Sequence, residues 1–395
     1  MIRKRFFGFI PESGLSIEDQ LAGFLSRLKR RFPQKSLTGS RILKQTLFLR
    51  ARNQTEFRRR KESLRSLLER HFGPDLPPTS IIGQPPEEEF EVALEIMVCE
   101  EIPDEVCISY RLYKDVCYTL VDYADGKEII SAGLTAQDFE GETAGLSEIS
   151  FFLMRDILFR EGMDFDHVVR QWNYIEQIVG TSPGTKGRKQ NYQQFNDVRS
   201  RFYDSSYWSA GYPSATGIGM NMGGIVIEFL AASGPSSWTV LPVSNPLQTD
   251  AHRYSQQVLV GDPLYLEKKK TSPKFERAKL VHSPLGGQVY ISGTAAIRGQ
   301  ATVPESDASS QTQTTLENIL ALISPDNLKR SGFRRDIKTA DVSYLRVYVK
   351  HKEDIPSVKK VCRDFLPETP ALYVVSDVCR PDLLVEIEGI ADLSI

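Results

Sequence analysis

TPALYVVSDVCRPDLLVEIEGIA, residues 369–391, reads as a short strand, a turn at Cys379-Arg380-Pro381-Asp382, and a second, apolar strand. In that second strand Val385 and Ile387 alternate with Glu386 and Glu388. Side chains two apart share a face of a strand, so the two carboxylates project together. Two like charges on the face opposite a hydrophobic stripe are costly to bury, and they call for cationic partners or a chemical task.

The same pattern occurs twice more. PPTSIIGQPPEEEFEVALEIMV (77–98) carries Glu95, and YPSATGIGMNMGGIVIEFLA (212–231) carries Glu228. Each is a Pro-led short strand, a Pro/Gly-rich connection of hairpin type, and an apolar strand with a Glu. Glu95 and Glu228 are the repeat counterparts expected for Glu386, with structural roles. GIGMNMGG (217–224) is read as the hairpin turn of the middle copy. It lacks the GxGxxG order and no helix follows, so a phosphate loop is not expected.

Upstream of each copy stands a strand followed by a helix. The pairs are LKQTLFLRA (43–51) with 55–72, VVRQWNYIEQI (168–178) with 191–204, and VSYLRVYVKHKEDI (342–355) with 355–366. In the first helix Leu64, Leu67, Leu68 and Phe72 fall on one face. The middle copy adds a hairpin turned at Asp125-Gly126 (117–135) and a helix at 145–163. The last copy adds a hairpin at 286–301 and a helix at 311–323. The first copy has only a helix at 16–32 in that place. The full unit is therefore β-β-α-β-α-β-β, an α+β unit with helices on one face of a mixed sheet. Three units, the first incomplete, spanning 1–105, 106–235 and 236–395, are expected in a pseudo-threefold arrangement. One chain then does what three subunits do elsewhere, and a monomer is expected.

Composition narrows the function. The 395 residues are 41% hydrophobic and 25% charged, ordinary for a globular protein. A net charge of −2 argues against a nucleic-acid footprint, and the basic runs at 29–32 and 58–61 read as solvated helix faces. No apolar run reaches the ~18–20 residues of a membrane span. The basic and aromatic start, MIRKRFFGFIPESG, lacks the apolar core of an export signal and is read as part of the fold. Five cysteines without a CxxC pair point to reduced thiols and a cytoplasmic protein. The five His show no ligand spacing, so no metal is expected.

The last unit resembles the RidA/YjgF-type fold, through YISGTAAI, TQTTLENI, YLRVYVKHKEDI and LLVEIEGIA in that order. Over roughly residues 40–395 the chain resembles a narrower family, the FkbO-like chorismatases. The resemblance rests on VVRQWNYIEQI, NYQQFNDVRSRFY, YPSATGIG, SPKFERA, ISGTAAI and DVCRPDLLVEIEG. Residues 1–40 and VLVGDPLYLEKKK (258–270) do not fit the family pattern, and no function is assigned to them.

The resemblance implies a cofactor-free enzyme that releases pyruvate from chorismate, a dianion. That reaction needs a proton on the methylene carbon of the enolpyruvyl group, and so a positioned acid of suitable pKa. Glu386 matches the family's catalytic Glu; Glu388 is expected to tune it, orient it or pair with a cation. The substrate's carboxylates call for guanidinium clamps. Arg346 and Arg199 are expected at one inter-unit cleft with Tyr192 as a hydroxyl donor, and Arg380 is a further candidate. In the family, Cys before the Glu strand together with Gly in the SGTA element goes with 3-hydroxybenzoate as product. Ala at both goes with a dihydroxycyclohexadiene carboxylate. Here the residues are Cys379 and Gly293, which implies 3-hydroxybenzoate, with 4-hydroxybenzoate as a further product. Two other readings are a RidA-type imine/enamine deaminase and a non-catalytic ligand-binding protein. The first lacks its Arg after the second Pro, where Leu372 stands; the second is disfavoured by the Glu386, Arg346 and Arg199 set.

Overall fold

The computed structural model describes residues 1–11, 15–31, 42–87, 90–136, 141–181, 189–204, 207–259, 270–304 and 307–394. Most of the 258–270 insertion and part of the 29–32 basic run lie outside them.

Three mixed sheets follow one another along the chain. The first contains β1 (Arg5–Phe9), β2 (Ile42–Leu49), β3 (Thr79–Ile82) and β4 (Val92–Val98), with helices α1 (Ile17–Arg31) and α2 (Gln54–Phe72). The second contains β5 (Cys107–Tyr113), β6 (Val116–Tyr123), β7 (Gly126–Leu134), β8 (Val168–Glu176), β9 (Ser214–Met220) and β10 (Ile225–Ser233). Helices α3 (Thr143–Arg160) and α4 (Asn191–Tyr203) pack on it. The third contains β11 (Thr239–Val243), β12 (Ala278–Ser283), β13 (Gly286–Ala295), β16 (Thr339–Val349), β17 (Ala371–Val375) and β18 (Val385–Ser394). A small ribbon, β14 (Ile297–Arg298) with β15 (Ala301–Thr302), follows β13. Helices α5 (Ala308–Ile323), α6 (Pro325–Arg330) and α7 (Ile355–Phe365) complete this part.

Strand order repeats: β1-β4-β2-β3, then β5-β6-β7-β10-β8-β9, then β11-β12-β13-β18-β16-β17. The expected hairpins within 77–98, 212–231 and 369–391 are corrected by this order. β8 lies between β9 and β10, parallel to the first and antiparallel to the second. The connecting segments therefore cross over the end of a central strand instead of joining neighbours; of GIGMNMGG, residues 217–220 end β9 and only 221–224 make the crossing. A further correction concerns the third sheet, where the hairpin partner of β13 is β12. The first sheet gains a strand not anticipated, β1, which pairs with β4 where the other sheets have a hairpin.

The helices begin and end where local chemistry dictates. Asn53 caps α2 by accepting the Glu56 N–H at 2.9 Å, and Phe57, Leu64 and Leu68 are the buried residues of that helix. Each sheet has a helix-covered core of its own; Val385, Ile387 and Ala391 of β18 lie in the third. The opposite faces of all three sheets meet in one shared core, to which Phe48, Trp172, Tyr174, Tyr348 and Ile390 contribute. Alternation along β18 thus directs Glu386, Glu388 and Ile390 toward the other two sheets.

Candidate active site

At the centre of the shared core lies a buried ionic network. Arg346 holds Glu95 with two guanidinium nitrogens, one at 2.9 Å, and donates to Tyr174 at 2.6 Å and Tyr348 at 3.1 Å. Its Nη1 also lies 2.9 Å from Glu388 Oε1. Glu388 further accepts from Arg170, the Trp172 indole at 3.1 Å and the Thr216 hydroxyl. Lys44 pairs with Glu228 at 2.6 Å, where Thr46 also donates. Such pairs tolerate burial only because each charge is compensated and hydrogen-bonded.

Cross-strand register shows which glutamates correspond. Glu95 faces Thr46, Glu228 faces Trp172, and Glu388 faces Arg346 at the same point of each sheet. The repeated carboxylate is therefore Glu388, which corrects the expected matching of Glu95 and Glu228 to Glu386. Glu386 faces Tyr348; its counterparts are Val226 facing Tyr174 and Ala93 facing Phe48. An acid at this point is peculiar to the third sheet.

Glu386 opens into a cleft between the second and third sheets. The residue is 4% exposed, and no described residue donates a hydrogen bond to its carboxyl. Burial, and next the negative charge of Glu388, push it up to about 8, against the opposing pull of Arg170 and Arg277. It is accordingly a protonated acid at neutral pH. Its position depends on Gly293. β13 bulges between Ile291 and Thr294 beside β18, and a Cβ on Gly293 would overlap a Glu386 carboxyl oxygen. The Gly293 N–H donates to Thr216 Oγ1 at 3.0 Å, and the same hydroxyl donates to Glu388. One β9 residue thus ties the bulge to the central network.

The facing wall comes from the second sheet. Asn191 Nδ2 donates to the Glu176 and Gln177 carbonyls at 3.1 Å each, which fixes the start of α4 and places Tyr192 over Gly217. Burial pushes the Tyr192 phenol up, so it remains a donor. Gln190, Gln193 and Asn196 line the same wall. The Cys379 thiol lies in the cleft and is pushed up to about 12, by burial first and then by Glu386. It stays protonated, which argues against a nucleophilic role.

Two guanidiniums border the cleft over one ring: Arg277 lies 5.5 Å and Arg380 5.4 Å from the Tyr254 centroid. Arg277 donates through Nε at 3.1 Å and through Nη2 to the Thr249 carbonyl, and its Nη2 reaches Tyr254 Oη at 2.7 Å. Its Nη1 has no partner among the described residues. Arg380 uses Nη1 alone, toward Gln300 and Thr302.

Of the residues singled out in the sequence, the fold brings together Glu386, Cys379, Tyr192, Gly293 and Arg380. It does not bring Arg346 and Arg199 to them, which corrects the expected clamp. Arg346 is spent on the axial network. Arg199 is buried one turn behind Asn196, donating to its Oδ1 at 2.5 Å over the Phe195 ring. Sequence reasoning missed Arg277 and Tyr254. Arg277 stands within SPKFERA, and the signal available was a cation beside a segment that enters β12.

Residues 116–231 match the family model described as chorismatase FkbO/Hyg5-like, N-terminal, and residues 276–393 match that described as endoribonuclease L-PSP. The chain is 31% identical over 277 residues to a 3-hydroxybenzoate synthase of Streptomyces hygroscopicus, covering 68% of this chain and 76% of that protein. It is 35% identical over 232 residues to a chorismatase of Streptomyces rapamycinicus, covering 58% of this chain and 65% of that one. A chorismatase of Streptomyces hygroscopicus is 36% identical, with coverages of 56% and 60%. The chain thus spans a little under two thirds of the length of these two chorismatases. A crystal structure of a chorismatase superposes with a TM-score of 0.67 over 99% of this chain and 98% of that one, at 23% identity, which shows a shared fold.

Proposed function

Since this chain belongs to the chorismatase family, we propose that it releases pyruvate from chorismate, with Glu386 as the general acid and 3-hydroxybenzoate as the ring product. The observation that carries the reading is a buried carboxyl, with no hydrogen bond from the described residues and held up to about 8, opening into an inter-sheet cleft. Carbon is a slow proton acceptor, so the acid must be protonated at working pH and close to the alkene. A carboxyl committed to an Arg, as Glu388 is, serves neither need.

Arg277 and Arg380 are the proposed clamps for the two substrate carboxylates, in place of Arg346 and Arg199. Both retain donors, and both are held by stacking on Tyr254. A bound dianion offsets the positive charge of Arg277 that pulls Glu386 down, so binding keeps the acid protonated. Protonation of the methylene carbon forms the oxocarbenium. The C4 hydroxyl then attacks C3 as the C3–O ether bond breaks and pyruvate leaves, releasing the hydroxyl proton. Opening of the resulting epoxide at its C4–O bond and loss of the C3 hydrogen leave the oxygen on C3 and give 3-hydroxybenzoate and pyruvate with no net water, and a proton returns to Glu386. Tyr192 and the Cys379 thiol border the ring as neutral donors, suited to orienting a hydroxyl.

The 3-hydroxybenzoate product is favoured by Cys379 and Gly293 and by the likeness to the Streptomyces synthase. Incubation with chorismate, with pyruvate followed by lactate dehydrogenase and the ring product by chromatography, tests both parts. Absence of pyruvate at micromolar protein defeats the activity; a dihydroxycyclohexadiene product defeats only the second part.

A further inference from the structure

The three inter-sheet interfaces are built alike but have diverged. In the catalytic one, β13 and β18 of the third sheet meet β9 of the second. In another, β7 and β10 of the second sheet meet β3 of the first. In the last, β1 of the first sheet lies against β16 and β17 of the third. There Phe6 stacks on Tyr344 at 5.5 Å and Gly8 lies against Leu372, so side chains fill the space. The interface of the first and second sheets is not filled. It holds an open cleft with Gly133 and Val226 in its floor. Gly133 occupies a bulge of β7 beside β10, as Gly293 does in β13 beside β18, and its N–H donates to Ser80 at 2.7 Å. Val226 holds the place of Glu386.

We propose that this acid-less cleft binds a small aromatic carboxylate without transforming it. Protein interiors close over space that has no occupant, as the Phe6 interface does, whereas ligand sites keep an apolar floor with few convergent polar groups. Here the floor is apolar, with Leu68, Ile81 and Val226. Lys61, Arg65 and Arg111 also line the cleft, against the single carboxylate of Asp115. That is a local excess of positive charge on a chain whose net charge is −2. Arg65 pairs with Glu69 at 2.9 Å, and both side chains are half exposed, so the pair yields readily to a ligand anion. A flat ring fits between the Gly133 bulge and the apolar wall, with its carboxylate toward the guanidiniums. The choice of ligand class rests on the proposed reaction, whose ring product is such an acid.

Calorimetric titration with 3-hydroxybenzoate tests this on the native chain and on the surface variant R65E/R111E. Two sites per chain are expected. The variant is expected to lose at least tenfold in affinity at one of them, with pyruvate release unchanged. Crystals soaked in 3-bromobenzoate are expected to show bromine in both clefts. One site that R65E/R111E leaves intact, with bromine only beside Glu386, overturns the inference and spares the proposed function. One site abolished by R65E/R111E supports the inference and counts against the reading of the Glu386 cleft. No binding at either cleft overturns the inference, and chorismate turnover then judges the proposed function separately.

Discussion

Gly293 and Glu386 share a space that admits only one of them a side chain: the carboxyl lies where a Cβ on residue 293 would stand. Gly293→Ala is therefore expected to displace the acid toward a different rotamer. Pyruvate release falls at least tenfold and the ratio of ring products changes, read by chromatography. Thermal stability changes little, because the displaced carboxyl has the cleft to move into.

Glu386→Gln removes the proton donor and keeps the shape. General acids contribute about 10²–10⁴-fold, and a loss of that size in kcat is expected. Stability moves the other way. Between pH 4.5 and about 8 the unfolded chain ionises this group while the folded chain keeps it protonated. Native stability therefore falls as pH rises through that window, by up to about 1.4 kcal/mol per unit. The variant lacks this decline, so urea unfolding at pH 5 and pH 8 is expected to show a smaller difference than in the native protein.

The same raised acid sets the alkaline limb of activity. kcat/KM is expected to fall above about pH 8 with unit slope as Glu386 ionises in the free enzyme. Glu388→Gln removes one of the two causes of that elevation, so its limb moves to lower pH. The variant also leaves Arg170 and Arg346 with less compensation, costing on the order of 3–5 kcal/mol. A pH–rate profile that does not move at all would deny Glu388 any influence on the acid.

Arg277→Met keeps the packing against Tyr254 and discards the charge. KM for chorismate is expected to rise by one to two orders of magnitude, as for a lost charged hydrogen bond of about 1.5–3 kcal/mol. Arg346→Met, by contrast, leaves Glu95 without its cation in the core and Glu388 with Arg170 alone, and its main effect appears as a lowered melting temperature.

The thiols separate by environment. Cys379 is held protonated up to about 12, while Cys107 is exposed on an edge strand. Iodoacetamide at pH 7.5 is expected to label Cys107 well before Cys379, as followed by peptide mass spectrometry.

Periodicity made the long helices legible to within two or three residues, and most strands as well; the six-residue α6 (Pro325–Arg330) is too short to show a period and was not anticipated. Periodicity did not reveal strand order. The segments around 212–231 have the local look of a hairpin, and insertion of β8 between their strands is decided by residues forty positions away. β1 was hidden for the same reason, since its partner β4 lies about ninety residues on. In the cleft, Glu386, Cys379, Gly293, Tyr192 and Arg380 were legible through motif resemblance. Arg346 was not, because alternation shows which face a strand residue takes and not whether that face meets a cleft or the axis. Glu386 and Glu388 share one alternation, so only cross-strand register reveals which belongs to the repeat.

Three like interfaces on a single polypeptide carry an evolutionary consequence. In an assembly of identical subunits every substitution appears three times, so a change that fills one cleft fills all of them. Covalent linkage lifts that restriction: Phe6 fills one junction, Val226 stands at the corresponding place in another, and Glu386 occupies that place in the last. Specialisation of one cleft could proceed here without sacrificing its neighbours.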